Sequence, residues 1–281
     1  METLKFYLVY IPVFIVLTIV LLKWLKPKDN EYRYKVLLVF AGLALVLHVT
    51  KIFFFPYNTH VFPNILRKST LENVCAFGAV AYLFILISKN KIAIDYMMIV
   101  GMLGGLAAFL YPTEVILGLF DSMPVSYKLT LISYDTIRFY VVHYLLFIIP
   151  FIMYYFKMHK LEMKRVIYLP ITVLLMMTIV YLNEVLLRSI GWLDDVNNFF
   201  GRDIFFDRNI RNSSFVFGLP DNFMGVGTIF NIFVPKFLRQ NNNYIPVVWF
   251  IIPSVIWGFI FYSGFAFVTN RKETIEFFTK K

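Results

Sequence analysis

Charged residues are scarce in this chain. They make up only 16% of its 281 residues, whereas a soluble domain carries roughly 25%. Hydrophobic residues make up 59%, and the mean hydropathy is +0.71. This much apolar surface does not fit inside one globular core, so the composition argues against soluble domains and predicts a protein whose solvent is lipid.

Cysteine and histidine are also rare. The single cysteine, Cys75, excludes an internal disulfide and a thiolate metal cluster, and the four histidines do not have the spacing of zinc ligands. The chain has no P-loop and no serine-nucleophile elbow. We therefore expect no metal and no cofactor.

The formal net charge of +10 does not indicate a nucleic-acid partner. The positive residues lie in short connections between apolar runs, which is the pattern of a membrane topology. We expect membrane lipids to be partners of the chain, whereas the pattern says nothing about protein partners.

Seven apolar runs are present, and about 20 apolar residues cross a hydrocarbon core as a helix. The runs are approximately Leu4–Leu25, Val36–Phe55, Leu71–Ile87, Ile92–Leu110, Phe139–Phe156, Val166–Leu187 and Tyr244–Val268. The short alternating segments of a transmembrane barrel are not seen. The sequence predicts an all-α, polytopic transmembrane bundle of about seven helices, forming one domain over residues 1–281.

Lysine and arginine concentrate in alternate connections of this bundle. The connections between runs 1 and 2, 3 and 4, and 5 and 6 are basic, and so is the C-terminal tail. Because basic loops stay in the cytoplasm, the N-terminus is predicted outside and the C-terminus inside, with the chain as a multi-pass protein of the cell membrane.

One connection is long. It runs from about Ser189 to Asn243 and is predicted to lie outside. Its part from Gly225 to Leu238 is apolar but too short to span, so we expect an interfacial or re-entrant segment. Such a segment would either cap a site or serve as a structural loop.

Polar groups on several different helices are predicted to share one outer layer. At a rise of 1.5 Å per residue, most lie roughly 6–10 Å below the outer surface. The candidates are Cys75, His143, His48, Lys51, Asn183 and Glu184, with Glu114, Arg138 and Arg188 at the helix ends. Polar groups at this depth are costly, so they mark either a site or mutual pairs. The inner half is predicted to hold little besides Asp95.

Pairing within the layer is an alternative to a functional role. Glu184 and Arg188 have the i,i+4 spacing of a favourable helical ion pair. Lys51 would snorkel outward or pair with Glu114. The i,i+3 spacing of Asp135 and Arg138 similarly suits an interface pair, while a guanidinium also fits a lipid phosphate.

Three glycines in the fourth run, Gly101, Gly104 and Gly105, have a spacing that favours close contact between helices. The alternative is that they leave room for a ligand. We expect helix packing to be their main role.

A family resemblance begins in the same run. The stretch Met102–Pro112, MLGGLAAFLYP, resembles the GG-x-x-A-x-L-x-P segment of the YwaF-type integral membrane family. The pair His143-Tyr144 resembles that family's transmembrane histidine, and Cys75 resembles a cysteine at the start of its third helix. The resemblance covers roughly helices 2 to 6 and implies the same seven-helix plan.

The resemblance also implies a chemistry. Eukaryotic relatives of that family are thought to be phospholipid acyltransferases with a Cys–His pair, so Cys75 would be the nucleophile and His143 its base. Arg138 or Lys51 would hold the head-group phosphate. The resemblance assigns no third residue that orients the pair, and Asn183 and Glu184 are the candidates.

Two other classes of function compete with a lipid acyltransferase or hydrolase. A transporter or substrate-binding membrane subunit would use a closed polar cavity near the midplane and discontinuous helices, with no need for Cys75. A receptor or structural partner would bind through the long outer loop, and its polar layer would be self-paired.

Overall fold

The computed structural model describes residues 2–54, 64–110, 131–192, 215–219, 224–240 and 243–279, and these are overwhelmingly helical. The helices are α1 (Glu2–Leu25), α2 (Asn30–Thr50), α3 (Asn64–Arg67), α4 (Val74–Ser88), α5 (Lys91–Tyr96), α6 (Met102–Leu110), α7 (Tyr134–Tyr155), α8 (Tyr168–Ser189), α9 (Met224–Asn231), α10 (Ile251–Thr269) and α11 (Arg271–Thr279). A π-helical turn, Met97–Gly101, joins α5 to α6.

Seven of these segments correspond to the predicted spans. Six described helical segments are long and apolar enough to cross a membrane, and α4 is a shorter apolar helix. The predicted all-α, polytopic bundle is therefore confirmed, with six to seven crossings.

N-capping side chains determine where two helices begin, and these positions differ from the ends of the apolar runs. Asp29 accepts a hydrogen bond from the backbone N–H of Tyr32, so α2 begins before the apolar run itself. Asn73 accepts from the N–H of Ala76, so α4 begins at Val74 and not at the predicted Leu71. An N-cap satisfies a donor that the helix leaves unpaired, and this fixes the boundary.

The last spanning helix also begins later than predicted. Residues before it form a two-residue antiparallel ladder, Arg239–Gln240 with Asn243–Tyr244. A 3₁₀ turn, Val248–Phe250, then leads into α10. The predicted start at Tyr244 was wrong because an apolar composition alone does not separate this hairpin from the helix.

The core of the bundle is centred on α7. In the apolar 18-residue stretch of α7, 78% of the residues are buried inside the protein. The corresponding share for α1 is 17%. The exposed face of α1 is rich in Val, Leu and Ile, as expected for a helix facing lipid tails. The most buried helix thus carries His143 and Arg138, which are both buried.

The basic connections meet at one end of the bundle, here called the basic end. The Arg33 guanidinium lies 3.9 Å from the centroid of the Phe156 ring, and the Tyr34 hydroxyl donates to the carbonyl of Leu86. Lys160 lies 3.2 Å from Glu273 of the tail helix. Positively charged connections at one end are what the predicted topology requires, and the inside assignment of that end stays a prediction.

Only parts of the long connection over residues 189–243 are described. Its apolar stretch forms α9 and a 3₁₀ turn, Lys236–Leu238. The indole N–H of Trp257 donates to the carbonyl of Ile229 at 3.1 Å, which ties α9 to α10. Whether this segment is interfacial or re-entrant stays a prediction.

Candidate functional site

The end opposite the basic connections carries a layer of buried ion pairs. Lys51 closes α2, and its ammonium lies 3.1 Å from Glu72 Oε1. Lys68 lies 3.5 Å from Glu72 Oε2. All three side chains are less than one-tenth exposed, so the carboxylate is held between two cations inside the protein.

A second ion pair lies in the same layer. Arg67, at the end of α3, places its Nε 3.2 Å from Oε2 of Glu184 and 3.4 Å from Oε1. Glu184 lies on α8 and has no exposed surface. This contact joins the connector before α4 to the far side of the bundle.

Neutral hydrogen bonds hold the same connector. The Nε2 of His48 lies 3.0 Å from the carbonyl oxygen of Thr70. The Asn183 amide donates to the Thr70 hydroxyl at 3.1 Å. Two helices distant in sequence, α2 and α8, therefore fix one residue of the connector.

Arg138 and Asp135 form the predicted i,i+3 pair at the start of α7. The Nη2 and Nε of Arg138 donate to Asp135 Oδ1 at 2.7 and 2.9 Å. Arg138 is also close enough to Lys51 and His143 for their charges to interact. We define the charged layer as Lys51, Arg67, Lys68, Glu72, Asp135, Arg138 and Glu184.

The electrostatics of the layer favour an ionised Glu72. Burial by itself would raise the pKa of this carboxyl, but Lys68, Lys51 and Arg67 outweigh it and hold the pKa far below the ordinary value of 4.5. The layer has four basic and three acidic side chains in all, so it carries a net positive charge.

His143 lies on the buried face of α7. Its Nδ1 is 2.7 Å from the backbone carbonyl oxygen of Phe139, one turn earlier. This contact assigns the proton of a neutral ring to Nδ1, because a carbonyl oxygen only accepts. The Nε2 atom then carries a lone pair and can accept a proton.

Cys75 lies in the first turn of α4 and is half-buried. Helices α4 and α7 both start at the charged layer and run towards the basic end. They touch at Gly78, where a side-chain carbon would lie 3.1 Å from Cδ2 of Leu146. Cys75 precedes Gly78 by one turn, and His143 precedes Leu146 by one turn, so the two residues lie at similar depth.

Most of the predicted polar residues thus share one end of the bundle. Cys75, His143, His48, Lys51, Arg138, Asn183, Glu184 and Arg188 all lie towards the layer end of their helices. Glu114 lies outside the described residues, as does any pairing of Lys51 with it.

One predicted pair is wrong. The salt bridge of Glu184 is made to Arg67 and not to Arg188. Glu184 points into the bundle, whereas Arg188 lies on a half-exposed face one turn further on. A helical spacing shows which residues are able to pair, but a buried carboxylate takes the cation that faces the interior.

Sequence reasoning missed the contribution of the connector before α4. Arg67 and Lys68 lie before the third apolar run and Glu72 at its predicted start, yet all three side chains are buried. The i,i+4 spacing of Lys68 and Glu72 is the available signal. It could not reveal that the connector folds inward, since that depends on contacts with α2 and α8.

The expectation that the inner half holds little besides Asp95 is also wrong. Asp95 on α5 is buried among three polar partners, two from the connection between α7 and α8 and one from α10. Its carboxylate lies 2.6 Å from His159 Nε2, 2.7 Å from Arg165 Nε and 2.8 Å from the Tyr262 hydroxyl. All three partners are at least 64 residues from Asp95 in the sequence, and no helical spacing links them to it.

The fold and its charged layer define the class of this protein: it is an all-helical, multi-pass membrane protein. The family model of the TMEM164 family matches residues 2–233, which is most of the chain. The chain belongs to the TMEM164 family. Comparisons with curated proteins and with solved structures find no match.

The family match corrects the resemblance to the YwaF-type family, which was wrong. The main motif behind that resemblance was the glycine pair with its small neighbours. A side-chain carbon at Gly105 would lie 2.9 Å from the carbonyl oxygen of His143. Small residues recur wherever two membrane helices touch this closely, so such a motif discriminates poorly between families.

Proposed function

We propose that this protein transfers or hydrolyses acyl chains of membrane phospholipids, with Cys75 as nucleophile and His143 as general base. The observation that carries the proposal is the orientation of the His143 ring. Its Nδ1 is occupied by the Phe139 carbonyl at 2.7 Å, which leaves Nε2 as the basic atom.

The level of the two residues supports the pairing. Helices α4 and α7 run in the same direction and touch where Gly78 meets Leu146. Cys75 lies one turn before Gly78, and His143 lies one turn before Leu146. Cys75 lies in the first turn of a membrane helix and is half-buried, so we expect its thiol near the ester groups of a lipid leaflet.

The reaction needs no group beyond the lipid and these side chains. His143 Nε2 takes the thiol proton as Cys75 Sγ attacks the ester carbonyl. The ester C–O bond breaks, and the imidazolium returns the proton to the leaving alkoxide, giving a thioester and a lysophospholipid. A hydroxyl of an acceptor lysolipid, or water, then gives its proton to His143 and attacks the thioester, and the Cys75 thiolate regains the proton.

The charged layer would hold the phosphate of the lipid head group. Arg138 and Lys51 are the basic members whose charges act on His143, and the layer as a whole is positive. Phosphate oxygens would add to contacts that already hold these cations in place. The proposed membrane is the cell membrane, with this layer in its outer leaflet.

Intact-mass spectrometry of the purified protein tests the proposal. After incubation with phospholipids of defined chains, we expect the mass to increase by one fatty acyl group. Hydroxylamine should remove the adduct, because it cleaves thioesters. Cys75 is the sole cysteine, so its replacement by serine should remove the hydroxylamine-labile adduct completely.

Histidine variants provide the matched comparison. His143→Ala should reduce the rate of adduct formation by about 100-fold or more, the usual contribution of a general base. His159→Ala, at the basic end, should keep the rate. An unmodified wild-type protein across varied lipids would contradict the proposal and favour a transporter or substrate-binding subunit. Equal rates in the two histidine variants would exclude His143 as the base.

A further inference from the structure

A groove at the basic end has the composition of a lipid site. It lies between the start of α2 and the end of α4, has a volume of about 660 Å³ and is open at the protein surface. Small-molecule sites occupy roughly 300–1,000 Å³. Its principal walls are Tyr34, Lys35, Leu38, Leu86, Ile87 and Lys89.

The floor of the groove is apolar. Leu38 and Leu86 line it, and Ile87 beside them is 62% exposed. The Tyr34 hydroxyl donates to the Leu86 carbonyl, which holds the two helices together across the groove. An apolar surface of this kind accommodates the first methylenes of acyl chains and does not suit a free inorganic ion.

The rim of the groove carries two lysines, Lys35 and Lys89, and one acid, Glu31, so its net charge is positive. Lys35 is exposed and lies 2.7 Å from Glu31 in an i,i+4 pair. Lys89 ends α4 with a left-handed backbone, φ 52°, and its ammonium lies 5.4 Å from the centroid of the Tyr34 ring. Within the described parts of the chain, Lys89 has no carboxylate at salt-bridge distance. Its position is therefore set by the helix end and the aromatic face, and its charge remains available to an anion.

The groove also lies at the correct depth. Trp24 and Tyr32, at the same end of the bundle, are partly exposed. Their rings meet edge to face, with 5.8 Å between the ring centroids. Tryptophan and tyrosine concentrate where the hydrocarbon meets the head groups. A ligand in the groove would thus have its head group at the membrane surface and its chains along the exposed faces of α2 and α4.

We propose that this groove binds an anionic phospholipid, with the phosphate between Lys89 and Lys35 and the acyl chains over Leu38 and Ile87. Basic pockets between transmembrane helices on the cytoplasmic side are suited to such head groups. The site lies at the end opposite Cys75 and does not depend on the proposed acyl transfer.

Native mass spectrometry of the full chain in a neutral detergent tests this site. Dioleoyl phosphatidylglycerol and dioleoyl phosphatidylcholine are the probes, because they share acyl chains and differ in charge. We expect the wild-type protein to retain the anionic lipid more strongly. Lys89→Ala and Lys35→Ala should each weaken this binding by about fivefold, the effect of one lysine near a membrane surface.

Lys91→Ala is the matched control, because Lys91 is an exposed lysine of the same connection that does not line the groove. It should leave phosphatidylglycerol binding unchanged. Soluble glycerol 3-phosphate should not displace the lipid, since it lacks the chains that the floor would contact. Should Lys89→Ala fold poorly, Lys89→Gln removes the charge while it keeps a polar, somewhat shorter side chain.

Three results would overturn the proposal. Equal retention of the two lipids would show that charge does not select the ligand. Equal weakening by Lys91→Ala would show a diffuse attraction to a basic end in place of a built site. Displacement by glycerol 3-phosphate would indicate a site for a small phosphate.

Discussion

Burial gives single ionisable residues their importance in this protein. An exposed salt bridge contributes about 0–1 kcal/mol, because water screens it and the side chains lose freedom. Removing one partner of a buried pair instead costs about 3–5 kcal/mol, since it leaves a charge in a medium that solvates it poorly. Glu72 and Glu31 represent the two cases, because both contact lysine and only Glu72 is buried.

Replacing Glu72 by Gln should therefore destabilise the protein by about 3–5 kcal/mol at neutral pH. The change keeps the shape of the side chain but leaves Lys51 and Lys68 without their shared carboxylate. The measurement is the free energy of unfolding by denaturant in detergent. Glu31→Gln, which removes an exposed pair, should change it by less than about 1 kcal/mol, and equal losses would show that burial does not matter here.

The same residue predicts a pH dependence. The pKa of Glu72 is lower in the folded protein than its ordinary value of 4.5. A depressed pKa gives stability that is fully present above the ordinary value and is lost as the pH falls through the folded value. The difference in unfolding free energy between wild type and Glu72→Gln should be constant above pH 4.5 and shrink below it. A difference that grows on acidification would contradict the ionised state of Glu72.

Close helix contact explains the glycines at the scale of elements. Helix α6 packs on α7 through Gly105, where a side-chain carbon would lie 2.9 Å from the His143 carbonyl and from the Phe147 nitrogen. Gly104, next in sequence, has nothing within 4 Å. Among the three glycines whose packing was predicted, Gly105 and Gly101 meet other atoms closely, and Gly104 does not.

Gly105→Ala should destabilise the protein by about 1–3 kcal/mol, because backbone atoms of α7 have to move to admit the methyl group. Gly104→Ala places the same methyl group in open space and should be neutral or stabilising by up to about 1 kcal/mol through helix propensity. Thermal unfolding of both variants in detergent is the measurement. Similar midpoints would exclude the tight α6–α7 contact.

The π-helical turn between α5 and α6 also belongs to this scale. It includes Gly101, where a side-chain carbon would lie 1.5 Å from the Tyr82 hydroxyl oxygen. That hydroxyl lies 3.2 Å from the Leu146 carbonyl. Glycine at this position leaves room for the Tyr82 side chain of α4 to reach α7. The π-helical turn, α4 and α7 therefore meet around one phenol.

The two ends of the molecule differ in charge and in construction. The basic end combines its positive connections with the cluster of Asp95, His159, Arg165 and Tyr262. Beside it, Lys164 and Arg165 hold the pKa of Glu162 at about 2. The opposite end carries the charged layer. We expect this asymmetry to give the whole protein one preferred orientation in a membrane.

Labelling of single cysteines tests that orientation. In a Cys75→Ser background, Ile190→Cys at the end of α8 should react with a membrane-impermeant maleimide on intact cells, because this exposed position lies at the end that we predict to be outside. Lys157→Cys, at the basic end, should react only after permeabilisation. The reverse pattern would place the N-terminus and the charged layer on the cytoplasmic side.

The sequence by itself determined the class of the protein and most of its helices. Long apolar runs have few alternatives to spanning helices, because lipid leaves backbone groups no other partner. The alternation of basic and less basic connections likewise predicted which helix ends lie together. The basic ends do meet, through Arg33 with Phe156 and through Tyr34 with Leu86. Depth along a helix follows from residue number, so the polar layer was visible without a structure.

Only the tertiary structure decided which polar groups meet. The partner of Glu184 is Arg67, and the partner of Lys51 within the described chain is Glu72; both partners come from the connector before α4. The Asp95 cluster was invisible for the same reason, since its members lie on separate segments. The pattern of apolar residues along a helix determines the face and the depth of each side chain. The order of the helices around the bundle is determined by packing between residues far apart in the chain.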